Sequence, residues 1–215
     1  MKFNEDCIQI GRWGNEGWDW FQENSKESKR IVPRSWSDEN FGISNPENPV
    51  VNISWFEANA YCNWLMRHWN EVAESKANTV LHPRLIRLPL ETEWVTAASG
   101  EIPRNRFPWD AAGKETIDIK EIVKRANVSE SGIGHTTPVN AYLRGASPYG
   151  VMDMAGNIWE WQMNYRNMKE GRLGLRGGSW NHNGVNARVS IRNLNLPDFG
   201  FDDIGFRVAV SFPNG

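Results

Sequence analysis

Cysteine is nearly absent from this 215-residue chain, which carries only Cys7 and Cys62. Two thiols make no disulfide framework, and Cys62 falls on the apolar face of a candidate helix, where a buried reduced thiol is expected. Histidine is scarce too: His68, His82, His135 and His182 are scattered without the spacing that metal ligation requires. The net charge of −2 leaves no basic stripe to follow a phosphate backbone, so nucleic acid is excluded as an expected partner. No apolar run approaches the length of a membrane span, which argues against membrane insertion. The start, MKFNEDCIQIG, is acidic and lacks the apolar stretch of a secretory signal. Any export is then expected to come from elsewhere, such as host lysis, a partner or a removed leader.

What is present fits one compact domain over residues 1–215. A hydrophobic fraction of 40% fills one sizeable core, and 23% charged residues is ordinary for a globule. Twelve Trp and nineteen Gly are excessive, and they predict a loop-rich fold whose gaps are packed by large aromatics. Helical signal is confined to two places. Ser54 and Glu57 form an S-x-x-E capping box, and Ala58, Tyr61, Cys62, Leu65 and Trp69 follow at helical spacing. The run ETEWVTAASG starts acidic and ends at Gly100, a plausible stop, although Leu90 offers its first turn no side-chain cap. Prolines such as Pro103, Pro108, Pro138 and Pro148 punctuate the remainder into short strands and turns, which makes the expected class α+β. ENSKESKR reads as a solvated loop.

The stretch from Asn181 to Asp203 has neither helical nor strand period. Asparagines at 181, 183, 186, 193 and 195 alternate with His182, Gly184, Val185, Ile191, Leu194, Leu196, Phe199, Phe201, Asp202 and Asp203. Codons descended from AAC by replacement of the adenines cannot encode Lys, Glu, Gln, Met or Trp. None of those five occurs in the window. Rigid sequence, LRGGSW before and IGFRVAV after, frames it on both sides.

The segments NPVVNISWFEANAYCNWL, RLPLETEWVTAASG, FPWD, TTPV, SPYGVMDMAGNIWEW, LRGGSW and IGFRV occur in that order. Together they resemble the formylglycine-generating-enzyme branch of the C-type lectin fold, and IGRWGNEGWDWF resembles a shortened, Trp-rich form of its entry segment. Within the branch, the RGGSW frame, the Asn-rich insert and the IGFRV close resemble the variable proteins of diversity-generating retroelements. The resemblance implies a loop-rich fold of two main helices and short antiparallel strands. It also implies that the residues at Asn181, His182, Asn183, Gly184, Val185, Asn186, Ile191, Asn193, Leu194, Asn195, Leu196, Phe199, Phe201, Asp202 and Asp203 form a hypervariable ligand-binding surface. Ala187, Arg188, Ser190, Arg192 and Pro197-Asp198 are the expected structural positions of the insert.

The oxidases of this branch bind copper through a C-terminal cysteine pair, because soft thiolates suit Cu(I). The matching positions are close to Gly184 and Val189, neither of which ligates a metal. The sulfoxide-forming relatives use a three-histidine iron site that has no counterpart here. A structural calcium in the oxidases uses the segment matching Ala155 to Glu160, and a second uses the position of Asn127 with an Asp near Ser131. Calcium at Glu160 and simple ion pairing of Glu160 within the core are both open on sequence. The expected function is non-enzymatic binding of a protein or glycan on another cell or particle, with no cofactor or catalytic residue. The protein would be displayed on a virion or a cell surface. The alternatives are an oxidase with an unrecognised site and a pseudoenzyme scaffold.

Overall fold

The computed structural model describes residues 32–73, 82–100, 106–110 and 114–213. Expectations about Cys7, the Trp-rich stretch 10–21, the charged stretch 23–30 and Pro103 lie outside the described residues.

Helix α1, Trp55–Arg67, begins as the capping box requires. Ser54 is extended, its hydroxyl accepts the Glu57 N–H at 3.2 Å, and the Glu57 carboxylate accepts the Ser54 N–H at 2.8 Å. Two otherwise orphaned donors are satisfied reciprocally. The helix stops at His68 and a short helix α2, Trp69–Ala73, continues the path. Ala58, Cys62 and Leu65 are buried as their spacing predicts, while Tyr61 and Trp69 are half-buried. Burial pushes the Cys62 thiol up to about 12, so it stays protonated and unreactive.

Helix α3, Glu91–Ser99, follows strand β1, Leu85–Arg87, and ends at Gly100 with φ +64°. Leu90 indeed supplies no cap. Glu93 accepts the Leu90 N–H at 2.8 Å, and the Asn164 amide oxygen accepts the Glu91 N–H at 2.9 Å. The second of these acceptors arrives from a distant strand. A one-turn helix α4 covers Ile119–Ile122, capped by Asp118.

A four-stranded sheet holds the centre. Its strands are β2 (Trp159–Asn167), β3 (Arg172–Arg176), β4 (Asn193–Asn195) and β5 (Ile204–Gly205), in the order β4-β3-β2-β5. β2 and β3 form an antiparallel hairpin with register shifts, whereas β5 runs parallel to β2. A second sheet pairs β1 with β6, Ala209–Ser211, and so ties the end of the domain to its middle. The fold is α+β with much irregular chain, as expected.

The main core lies between α1 and the central sheet and joins Ala58, Cys62, Leu65, Ile86, Leu88, Trp159, Trp161, Leu173, Leu175 and Ile204. Smaller clusters form around Phe107 and around Trp94 with Met154 and Val189. Buried indoles keep their N–H paired: Trp161 donates to the Ile53 carbonyl at 2.9 Å and Trp94 to Glu160 at 2.6 Å. Trp180, the last residue of the LRGGSW frame, does not join Trp159 and Trp161 in the main core. It is half-buried, its ring meets Phe41 at 5.7 Å, and its N–H reaches the Asp202 carbonyl at the surface.

Candidate ligand-binding surface

The frame before the insert turns through two glycines, Gly177 at φ +105° and Gly178 at φ +76°. A Cβ on Gly178 would stand 2.8 Å from the Ala187 Cα, so only glycine allows the insert backbone to lie on the frame. Behind it, the Arg176 guanidinium donates to the Val189 and Ile191 carbonyls at 3.0 Å each and to Glu91 at 2.9 Å. Arg192, inside the insert, closes on the same Glu91 carboxylate through two nitrogens. Glu91 and Arg176 are both buried. Burial would raise the Glu91 pKa, but the Arg192 hydrogen bonds and the charges of Arg176 and Arg192 hold it below the usual carboxylate range.

Other anchors bind the insert by its main chain. The Trp180 N–H meets the Asn157 carbonyl at 3.0 Å, and the His182 carbonyl takes the Ser129 N–H at 2.9 Å. Gly184 N–H donates to Glu130 at 3.0 Å and Val189 N–H to the Arg106 carbonyl at 3.0 Å. The Pro197 carbonyl accepts the Trp55 N–H at the start of α1, and the Phe201 carbonyl accepts the Asn52 N–H. Strand β4 pairs with β3 through Asn193, Leu194 and Asn195. This short strand arises although the insert shows no strand period. Its three residues are too few for a period, and pairing with β3 creates it. Since backbone groups carry most of these bonds, they survive a change of side chain.

The side chains of the insert divide into three sets. Asn181, Asn183, Val185, Phe199, Phe201 and Asp202 are exposed. The Phe199 and Phe201 rings stack with centroids 5.8 Å apart. Burial, followed by the charges of Asp203 and Asp38, raises the Asp202 pKa. His182, Asn186, Ile191, Asn193, Leu194, Asn195 and Leu196 are half-buried, and Ile191 packs on the edge of the main core. Gly184 and Asp203 are buried, which corrects their placement on the displayed surface. A Cβ on Gly184 would meet Ile119 and Ile122 within 3.4 Å, and Asp203 accepts the Ser179 hydroxyl at 2.7 Å.

Among the expected structural positions, Ala187 is buried and Arg192 is tied to Glu91, while Ser190 and Asp198 are exposed. Val189, 4% exposed, is the buried apolar residue of the insert that pattern reading passed over. Trp180 of the frame borders the exposed set through Asp202, and beside it stand Phe41, whose ring meets Trp180, and Asp38, whose charge acts on Asp202; pattern reading passed over the last two. Phe41 and Asp38 lie far away in sequence and no local signal marks them.

Several groups near the insert approach reactive arrangements without completing them. Ser179, His182 and Asp203 come together, with Ser179 Oγ 2.9 Å from His182 Nδ1. Ser179 is fully buried and gives its single proton to Asp203, while His182 Nδ1 faces both the hydroxyl and, at 3.4 Å, the carboxylate, so no imidazole stands between them as a nucleophilic triad needs. Copper has no thiolates at this end of the chain, because Gly184 is packed on α4 and Val189 belongs to the Trp94 cluster. The calcium positions are likewise taken. The Glu160 carboxylate binds the Arg207 guanidinium and the Trp94 N–H, and the Asn127 amide oxygen accepts from Ser131 at 3.0 Å. These donor sets do not fit the metals that the oxidases hold. Asp153, nearby at φ +55°, is pushed up to about 6 by burial, against the pull of an Asn157 hydrogen bond and the Arg207 charge.

With this geometry in place, residues 12–212 match the sulfatase-modifying factor enzyme 1-like domain. The chain belongs to this family. Among its members, the mouse protein "Inactive C-alpha-formylglycine-generating enzyme 2" is 34% identical over 176 residues, covering 77% of this chain and 50% of that one. The formylglycine-generating enzyme of Thermomonospora curvata is 29% identical over 191 residues, covering 77% and 56%. The chain thus spans about half the length of the curated relatives it matches. In structure it resembles Treponema denticola variable protein 1, with TM-score 0.62, 24% identity and coverage of 78% and 72%. CarF is similar too, with TM-score 0.59, 25% identity and coverage of 83% and 72%. The family fold is therefore the C-type lectin fold expected from sequence. Among the described residues, no helix is long and apolar enough to cross a membrane.

Proposed function

We propose that this family member is a non-enzymatic ligand-binding protein that displays residues of the 181–203 insert on a scaffold indifferent to their identity. The observation that carries the reading is the anchoring of the insert through backbone groups and the buried Glu91–Arg176–Arg192 network, with the exposed Phe199, Phe201, Val185 and asparagines outside it. Exposed aromatics among adaptable amides suit protein or glycan recognition, as in antibody-like paratopes. The partner stands on another cell or particle, and the protein is displayed on a virion or cell surface. Retroelement rewriting of AAC codons supplies the variation.

The coding DNA tests this directly. Codons for His182, Gly184, Val185, Ile191, Leu194, Leu196, Phe199, Phe201, Asp202 and Asp203 should nearly all end in C, with a near-identical template carrying AAC close by. Mixed third bases and no template would refute diversification. A second reading, catalysis, is favoured by the formylglycine-generating enzymes among the relatives. Against it stands the replacement of the cysteine pair by a packed glycine and a buried valine.

A further inference from the structure

A cavity of about 760 Å³ opens between α1, the loop before β2 and the chain after β5, and no residue of the 181–203 insert lines it. Its volume lies in the range of small-molecule sites. The walls are mostly apolar, with Trp36, Tyr61 and Phe206 giving aromatic faces. Three carboxyl groups, on Glu57, Asp153 and Glu160, line it against the one guanidinium of Arg207.

Those groups are not equally committed. The Glu57 carboxylate holds the Ser54 N–H and O–H at 2.8 and 2.7 Å. Glu160 is occupied by Arg207 and Trp94, and Arg207 also donates to the Met152 carbonyl at 3.1 Å. Asp153 is different. Its Oδ2 accepts from Asn157 at 2.9 Å, while Oδ1 has no hydrogen-bond partner among the described residues. It also holds a left-handed backbone, φ +55°, which asparagine and aspartate tolerate better than other side chains and which clusters at ligand sites.

We propose that this cavity binds a small molecule with an apolar, preferably aromatic, body and one ammonium group, the ammonium meeting Asp153. A cation would gain a charge-assisted hydrogen bond to Oδ1 and the faces of the surrounding rings. An anion would meet the excess of carboxylates. A neutral apolar body would strip water from a carboxylate without replacing its hydrogen bonds. The site is separate from the insert, so it takes one class of ligand whatever the insert sequence.

The test uses tryptamine and its uncharged counterpart tryptophol, titrated into the whole chain by calorimetry and by amide chemical shifts. Tryptamine should bind at least about tenfold more tightly, because its bond to Asp153 carries charge. Asp153→Asn, which suits the same backbone and keeps an acceptor for Asn157, should abolish that preference without weakening tryptophol. Val139→Trp, on the exposed wall of the cavity, should block both compounds. Equal affinities, a preference that survives Asp153→Asn, or no binding of either compound at millimolar concentration would overturn the proposal.

Discussion

Exchange of a displayed residue should cost far less stability than exchange of a framing one, and Phe201 and Trp161 provide the comparison. Phe201 is 46% exposed, and its ring stacks on Phe199. Full burial of such a side chain is worth about 1.5–3 kcal/mol, so removing a half-exposed ring costs about 1 kcal/mol. Trp161 is fully buried within the main core, and its indole holds the Ile53 carbonyl ahead of α1. Trp161→Ala leaves a cavity and an unpaired carbonyl, at a cost of about 3–5 kcal/mol. In a domain of this size each kcal/mol moves the melting midpoint by about 2–4 °C. Calorimetric or urea melts should therefore place Phe201→Ser within about 4 °C of the parent and Trp161→Ala at least about 6 °C below it. If the two variants unfold alike, Phe201 belongs to the core and the division between scaffold and surface fails.

Other outcomes follow from the buried charges and the absent thiols. Glu91→Gln leaves Arg176 buried without its counter-charge and should cost about 3–5 kcal/mol at neutral pH. Because the folded Glu91 pKa is depressed, its stabilisation is present above the unfolded carboxylate range and lost as pH falls through the folded value; the variant's deficit should shrink in acid melts. Asp153 has the opposite sign, since its raised pKa of about 6 gives stability present in acid and lost as pH rises through 6. Asp153→Asn should thus gain about 1–3 kcal/mol relative to the parent between pH 4 and pH 7, and a pH-independent difference would refute the burial argument. Purified protein should neither bind Cu(I) tightly nor convert the cysteine of a sulfatase-type peptide to formylglycine, and turnover seen by mass spectrometry would overturn the non-enzymatic reading.

Local chemistry in the sequence determined a good deal of this protein. The Ser54–Glu57 box, the apolar spacing of α1 and the stop at Gly100 are each decided within a few residues, so each was legible without the fold. The contrast between the frame and the insert was legible for the same reason. Tertiary structure decided what depends on distant partners. Asn164 caps α3 across more than seventy positions, and β4 becomes a strand because β3 lies beside it. Gly184 and Asp203 are buried because Ile122 and Ser179 reach them, Val189 because it joins the Trp94 cluster, while Trp180 faces Phe41 at the surface. The Glu91 carboxylate draws together Arg176, which precedes the insert, and Arg192, which lies within it. Burial and charge pairing are sums over neighbours in space, and in a loop-rich domain most of those neighbours are far away along the chain.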